Sequence, residues 1–273
     1  MTRQLDHLVL PVADLAVARR RLGALGFVVA PDGRHPFGTA NCCVYLADNS
    51  YLEPLAVVDP AETAAAIGAG NVFVVRDRVF RQMIGEEGAS AIVVSTEDAP
   101  DDHRRFAAAG VATGEMLTFS RPFVDAAGKS DVATFRLAFA ASADIADAFV
   151  FSCERMNAPK VDLSALTAHP NGASSVARIV LAPGAAAYLG LVALASESGH
   201  GEPKVGGAAV TLGDGGDCLG AATIAAIAFT VADLHIVENL LRRAAVDFRR
   251  REGQIVAPPA PGQGVAFIFE ATE

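Results

Sequence analysis

"LVLPVADLAVARRRLGALGF" at 8–27 and "IAFTVADLHIVENLLRRAAVDF" at 227–248 share the tetrapeptide VADL, at 12–15 and 231–234. Each stretch starts as an apolar strand, breaks at a turn and resumes as a helix. In the first copy Asp14 is placed to cap the helix, because its short acidic side chain can accept a backbone N–H of the first turn. Leu15, Val17, Leu22 and Leu25 then fit a helical face, and Gly26 closes it. Two copies at opposite ends of one chain indicate a repeat.

The unit can be read outward from the first copy. FVVAP (27–31) predicts a strand. The turn at Asp32-Gly33, the loop RHPFGTAN, the strand CCVYLAD, the turn at Asn49-Ser50 and the strand YLEPLAVV follow. The order is strand, helix and three strands. It recurs as AIVVST (91–96), the acid-started helix DAPDDHRRFAAA (98–109), and strands in GEMLTFSRPF, DVATFRLAFA and AFVFSCER. A third, degenerate pass starts with SVARIVLAP, continues with the helix AAAYLGLVALAS and reaches the short strand AAVTL. The fourth echoes the first, with VAP at 256–258 matching 29–31 and FIFEA matching YLEPL. Such a repeat is too long and too strand-rich for a helical solenoid. The expected class is therefore α+β: four βαβββ modules paired into two curved mixed-sheet halves, with helices outside. The N-terminal half is expected at 1–165 with a helical insert near 59–88. The C-terminal half, at 166–273, has two shorter modules, and turn-rich residues 155–173 form the linker.

The chain has 273 residues, 52% hydrophobic and 19% charged, enough for a large core. Its formal net charge is −9, and no Lys/Arg cluster with interleaved aromatics offsets it, which argues against a nucleic-acid partner. No apolar run reaches the ~18 residues of a membrane span. The N-terminus turns polar at Asp14 and at Arg19, Arg20 and Arg21, unlike a signal peptide. Cys42, Cys43, Cys153 and Cys218 form no CxxC pair, so reduced thiols in the cytoplasm are expected. LGDGGDCLGAA (212–222) lacks the strand–glycine–helix context of a dinucleotide site and reads as a hairpin turn; no nucleotide cofactor is expected. Nor is there a GxSxG or P-loop. The expected partner is a small-molecule substrate or ligand, and the expected assembly a monomer or homodimer.

A βαβββ unit opening with LDHLVL (5–10) and closing with YLEPLAV (51–57) resembles the vicinal-oxygen-chelate superfamily, which includes glyoxalase I, extradiol dioxygenases and bleomycin-resistance proteins. Within it, GRHPFGTANCCVYLADNSYLEPLAV (33–57) together with HPNGA (169–173) is similar to the glyoxalase-like domain proteins. The resemblance implies paired modules around a concave cleft, with a divalent metal bound by residues of first and last strands. It implies His7 and Glu53 as metal ligands for Zn, Mn, Fe or Ni, leaving positions open to two neighbouring substrate oxygens. The activity implied is that of an isomerase, lyase or dioxygenase. The other modules depart from the pattern: Ala91 stands opposite His7, Ser152 or Cys153 occupies the closing strand, and Arg178 and Ala226 take the opening positions of modules three and four. Glu270 is the second closing-strand carboxylate. With so few ligands, a metal-free binding or sequestering protein is the alternative.

Among single residues, Glu53 in a cleft needs a cation or proton donor beside it, since a bare buried carboxylate is strongly unfavourable. His35 and Glu53 are the catalytic candidates, His35 for proton handling or orientation. Asn41 is a candidate for substrate oxygens. Arg136, with Arg121 nearby, could clamp a carboxylate from a strand. His169 and Asn171 either order the linker or approach the site as substrate-binding groups. Glu154-Arg155 reads as a surface pair, and His103, His200 and His235 as solvated.

Overall fold

The computed structural model describes residues 2–124, 130–157, 162–199, 202–214 and 222–271; His200, Cys218 and most of the 212–222 stretch lie outside them. Module one runs β1 (Leu5–Pro11), α1 (Leu15–Ala24), β2 (Gly33–Arg34), β3 (Thr39–Asn41), β4 (Val44–Tyr45) and β5 (Tyr51–Val57). The insert is two helices, α2 (Pro60–Gly68) and α3 (Val72–Met83). Module two is β6 (Ala91–Thr96), α4 (Ala99–Ala108), β7 (Leu117–Val124), β8 (Ser130–Ser142) and β9 (Ile145–Asn157). A short helix, α5 (Ser164–Thr167), precedes module three: β10 (Ala173–Leu181), α6 (Ala186–Ser196), β11 (Lys204–Val205) and β12 (Ala208–Leu212). Module four is β13 (Ile224–Val231), α7 (Leu234–Arg243), β14 (Arg249–Arg251), β15 (Gln254–Ala257) and β16 (Ala266–Ala271).

The first two modules form one mixed sheet, β2-β3-β5-β1-β6-β9-β8-β7, with β4 also on β5; the last two form β11-β12-β10-β13-β16-β15-β14. In both sheets the opening strands of two modules meet antiparallel at the centre, and each opening strand runs parallel to a later strand of its own module. The VADL repeat folds alike in both copies: Asp14 accepts from Val17 N–H at 2.8 Å and Asp233 from His235 N–H at 2.7 Å. Central strand β1 is buried along all of its length. Leu8 and Leu10 pack with Leu52, Ile92 and Val94 toward the second sheet, while Val9 packs with Leu55, Ala91 and Val93 on the opposite, concave face. A strand buried on both faces is apolar nearly throughout, which makes His7 its chemical anomaly. Val72, Phe73 and Val74 of α3 cover part of the concave face. Among the described residues no helix is long and apolar enough to cross a membrane.

Three details differ from the sequence reading. FVVAP forms no strand, because its backbone is taken by other groups: Val28 N–H donates to His169 Nδ1, and the Arg19 guanidinium binds the carbonyls of Val29 and Ala30. In CCVYLAD only Val44 and Tyr45 pair into the sheet. Module three has two short strands after its helix among the described residues.

Candidate functional site

The site begins with an irregularity. The pairing of β1 with β6 shifts register between Leu5 and His7, and such a bulge re-aims side chains that would otherwise point to opposite faces. Asp6 and His7, adjacent in sequence, thereby touch: Asp6 Oδ1 lies 2.7 Å from His7 Nδ1. The parallel pairing of β1 with β5 sets His7 beside Tyr51 and Val9 beside Glu53. The other ring nitrogen, His7 Nε2, lies 3.4 Å from Glu53 Oε2. Asn41, from β3, donates its amide to Glu53 Oε1 at 2.7 Å, and His35 Nε2 lies 3.5 Å from the same oxygen. His35 is held in the tight turn between β2 and β3, where its N–H donates to Thr39 O and its Nδ1 lies 2.9 Å from Thr39 Oγ1. On the far side of the imidazole, Arg155 binds both oxygens of Asp6, at 2.8 and 3.2 Å.

Asp6, His7, His35, Asn41 and Glu53 are each at most 5% exposed, so partners rather than water decide their charges. Burial pushes the Asp6 carboxyl up, but the His7 hydrogen bond and the Arg155 guanidinium outweigh it and hold it at about 2. Burial acts likewise on Glu53, and His7, His35 and Asn41 bring it down to about 2. Burial disfavours the imidazolium of His7, yet two flanking carboxylates raise its pKa above the ordinary 6.5. His35 has no such pair; burial dominates and lowers it to about 4, so it is neutral at neutral pH. The array Arg155–Asp6–His7–Glu53, buried except for the exposed Arg155, is charge-balanced when His7 carries its second proton. Its imidazolium stacks on Tyr51 at 4.5 Å and meets the edge of Phe151.

His7, His35 and Glu53 open into a cleft walled by Phe37, Phe73, Phe119, Phe135, Phe151 and Leu137, with a cavity volume of about 30 Å³.

The structure thus brings together His7, His35, Asn41 and Glu53. It places the other candidates elsewhere. Arg136 faces Glu154 at 3.6 Å, and the arginine lining the cleft is Arg121. His169 accepts from Val28 N–H and donates to Tyr45 O; Asn171 donates to Leu25 O and accepts from Ala173 N–H. Both spend their polar atoms fastening residues 169–173 to the first module. In module two, Ala91 stands as expected, but the residue matching Glu53 is Phe151, which pairs with Val93 as Glu53 pairs with Val9. Cys153 lines the cleft, and the Ser152 hydroxyl is buried without a partner. Glu270 belongs to the second sheet, bound by Arg178 and Gln254. Sequence reasoning missed Asp6, whose signal was an Asp-His pair inside an apolar strand, and misread Arg155, which reaches Asp6 instead of forming a surface pair with Glu154.

Two imidazoles and a carboxylate have the right chemistry for a divalent cation. Their arrangement does not fit one held by three or more protein groups: among the described residues no three His, Cys, Asp or Glu side chains converge on such a position. Module two contributes Ala91 and Phe151 where further ligands would stand, and Glu53 Oε1 is already occupied by Asn41.

A family model described as a glyoxalase-like domain matches residues 5–187. No curated protein matches the chain. Among solved structures, a hypothetical protein from Staphylococcus aureus is similar over 98% of this chain and 99% of its own, with TM-score 0.66 and 12% identity. A mutant of 4-hydroxymandelate synthase from Streptomyces coelicolor is similar over 99% of this chain and 92% of its own, with TM-score 0.61 and 15% identity. At such identities the likeness is one of fold.

Proposed function

We propose, since the chain belongs to the glyoxalase-like domain family, that its cleft is the active site of a small-molecule enzyme that moves a proton beside a substrate carbonyl, with Glu53 as base and His7 as acid. The observation that carries this reading is the convergence of His7 Nε2 and Glu53 Oε2, 3.4 Å apart at the base of an aromatic cleft. Neighbouring groups whose pKa values are driven apart mark an acid–base pair. The 3.4 Å gap is long for a hydrogen bond, and such contacts tighten or are exchanged when substrate arrives.

A substrate carbonyl entering this gap takes the His7 N–H that had held the Glu53 pKa down. Burial then dominates at Glu53, and its affinity for a proton rises. The carboxylate removes the proton from the carbon beside the carbonyl. The electron pair moves to the oxygen, where the imidazolium stabilises the developing negative charge. Return of the proton at another position gives isomerisation; loss of a neighbouring leaving group gives a lyase reaction. Neutral His35 and the Asn41 amide orient the carboxylate, and the phenylalanines exclude water.

A divalent metal on His7 and Glu53 is the second reading. It is favoured by the way Asp6 and Thr39 engage both Nδ1 atoms and leave both Nε2 atoms aimed at one carboxylate, since metal-bound histidines are commonly oriented through their second nitrogen. Cytoplasmic residence and a monomeric or homodimeric state belong to the same proposal, the former supported by buried, unpaired Cys42, Cys43 and Cys153.

Incubation with small carbonyl compounds in D2O, followed by proton NMR, tests the reading. The wild type should speed exchange of protons beside the carbonyl, and Glu53→Gln should slow it by about 100-fold or more. Near-stoichiometric metal in the wild type, lost in His7→Ala, would favour the metal reading instead. Compounds that bind without exchange would favour a sequestering protein.

A further inference from the structure

Arginines near the first sheet's cleft mostly have carboxylate partners: Arg34 binds Asp59 and Glu62, Arg136 faces Glu154, and Arg155 binds Asp6. Arg121 differs. It lines the cleft with His7, His35 and Glu53, and its guanidinium lies over the Phe135 ring at 5.7 Å. Among the described residues no carboxylate, carbonyl or hydroxyl accepts any of its N–H groups. A guanidinium offers five donors in a planar fork, and the half-buried Arg121 keeps them available to a ligand in the cleft.

The chain also makes room for it. A Cβ at Gly33 would collide with Arg121 Nη1 and come within 2.7 Å of Asn41 Oδ1. The glycine therefore lets the guanidinium lie beside the Asn41 side chain, whose amide nitrogen holds Glu53. A cation is thus held one side chain away from the proposed base, whose own oxygens are already engaged by His7, His35 and Asn41. A carboxylate brought by a ligand would supply the acceptor that the described residues do not.

We propose that Arg121 binds the carboxylate of a small carboxylic-acid substrate and so directs the carbon next to its carbonyl toward Glu53. Arginine recognises a carboxylate bidentately, through two parallel N–H···O bonds. The aromatic walls and the small cavity suit a compact anion with an apolar remainder. This assignment deepens the acid–base reading and takes its reacting carbon from it, but the anion preference is measured independently.

The test uses pyruvate and its uncharged amide, pyruvamide, titrated into the full-length protein and followed by ligand-observed NMR. The wild type should bind the acid about ten- to a hundred-fold more tightly than the amide, the factor a charge-assisted hydrogen-bonded pair supplies. Arg121→Met should abolish that preference, Arg121→Lys should keep part of it, and Gly33→Ala, which displaces the guanidinium, should reduce it. Glu53→Gln should retain it, so failure of the proposed base leaves the preference standing. Equal binding of acid and amide, binding of neither, or a preference unchanged in a folded Arg121→Met protein would each overturn the assignment. Should Arg121→Met fail to fold, Gly33→Ala and Arg121→Lys decide the matter in the same way.

Discussion

Asp6 on one ring nitrogen and Glu53 on the other favour the charged form of His7, and this sets a pH dependence of stability with two opposite limbs. Asp6 and Glu53 have pKa values of about 2 in the folded chain, against ordinary values of 3.8 and 4.5. The stability they supply is complete above those ordinary values and drains as pH falls toward 2. His7 acts in the other direction. Its pKa is raised above 6.5 on folding, so its contribution is complete below 6.5 and is lost as pH rises through the folded value. The site's stabilisation should therefore be greatest between the carboxylate and histidine ordinary values. Thermal midpoints across an acid-to-alkaline series should show that maximum, and Glu53→Gln should flatten it. A wild-type alkaline limb unchanged in Glu53→Gln would contradict the coupling.

Among the elements, the turn between β2 and β3 carries the most consequence for its size. Gly38 has φ +82, and a Cβ there would come within 2.5 Å of Asp59 O and 2.6 Å of Thr63 N, both backbone atoms at the start of α2. Gly38 O also accepts the N–H groups of Val58 and Asp59. Gly38→Ala should cost more than about 1 kcal/mol in urea unfolding, because the left-handed conformation disfavours a side chain and the neighbouring backbone cannot yield. It should also disturb the His35 ring resonances; an unperturbed His35 would mean the turn does not position it. The VADL copies were legible in the sequence because capping and helical periodicity are local. His7 and Glu53 were legible because their positions within an opening and a closing strand carry the family pattern. His169 and Arg155 were not, because their partners are distant: Tyr45 O is 124 residues from His169, and Asp6 is 149 residues from Arg155.

Across the whole molecule, the two sheets share one apolar core. Leu8, Ile92 and Val150 of the first sheet belong to the same buried cluster as Ile179, Phe229 and Phe267 of the second, with α6 between them. The Tyr188 hydroxyl of α6 donates to Phe149 O at 2.9 Å and accepts from Ile92 N–H at 3.3 Å, both in the first sheet. We propose that the halves at 1–165 and 166–273 are structural units that unfold together, because separating them exposes the outer face of the first sheet. One cooperative denaturant transition is expected. Tyr188→Phe should lower its free energy by about 1–3 kcal/mol, the cost of leaving buried hydrogen-bonding groups unpaired. Two resolved transitions would contradict a common unit. The concave cleft, by contrast, is built from the first sheet and the α2–α3 insert, so its chemistry belongs to the N-terminal half.

Two carboxylates flank His7 and favour its imidazolium form. Nitrogen-15 NMR of histidine-labelled protein at neutral pH, with His7 assigned through His7→Gln, tests it most directly. Both His7 ring nitrogens should be protonated in the wild type, with the shifts of a charged ring, and that charge should be lost at neutral pH in Glu53→Gln. A neutral His7 ring, with one bare nitrogen at neutral pH in the wild-type protein, would contradict it.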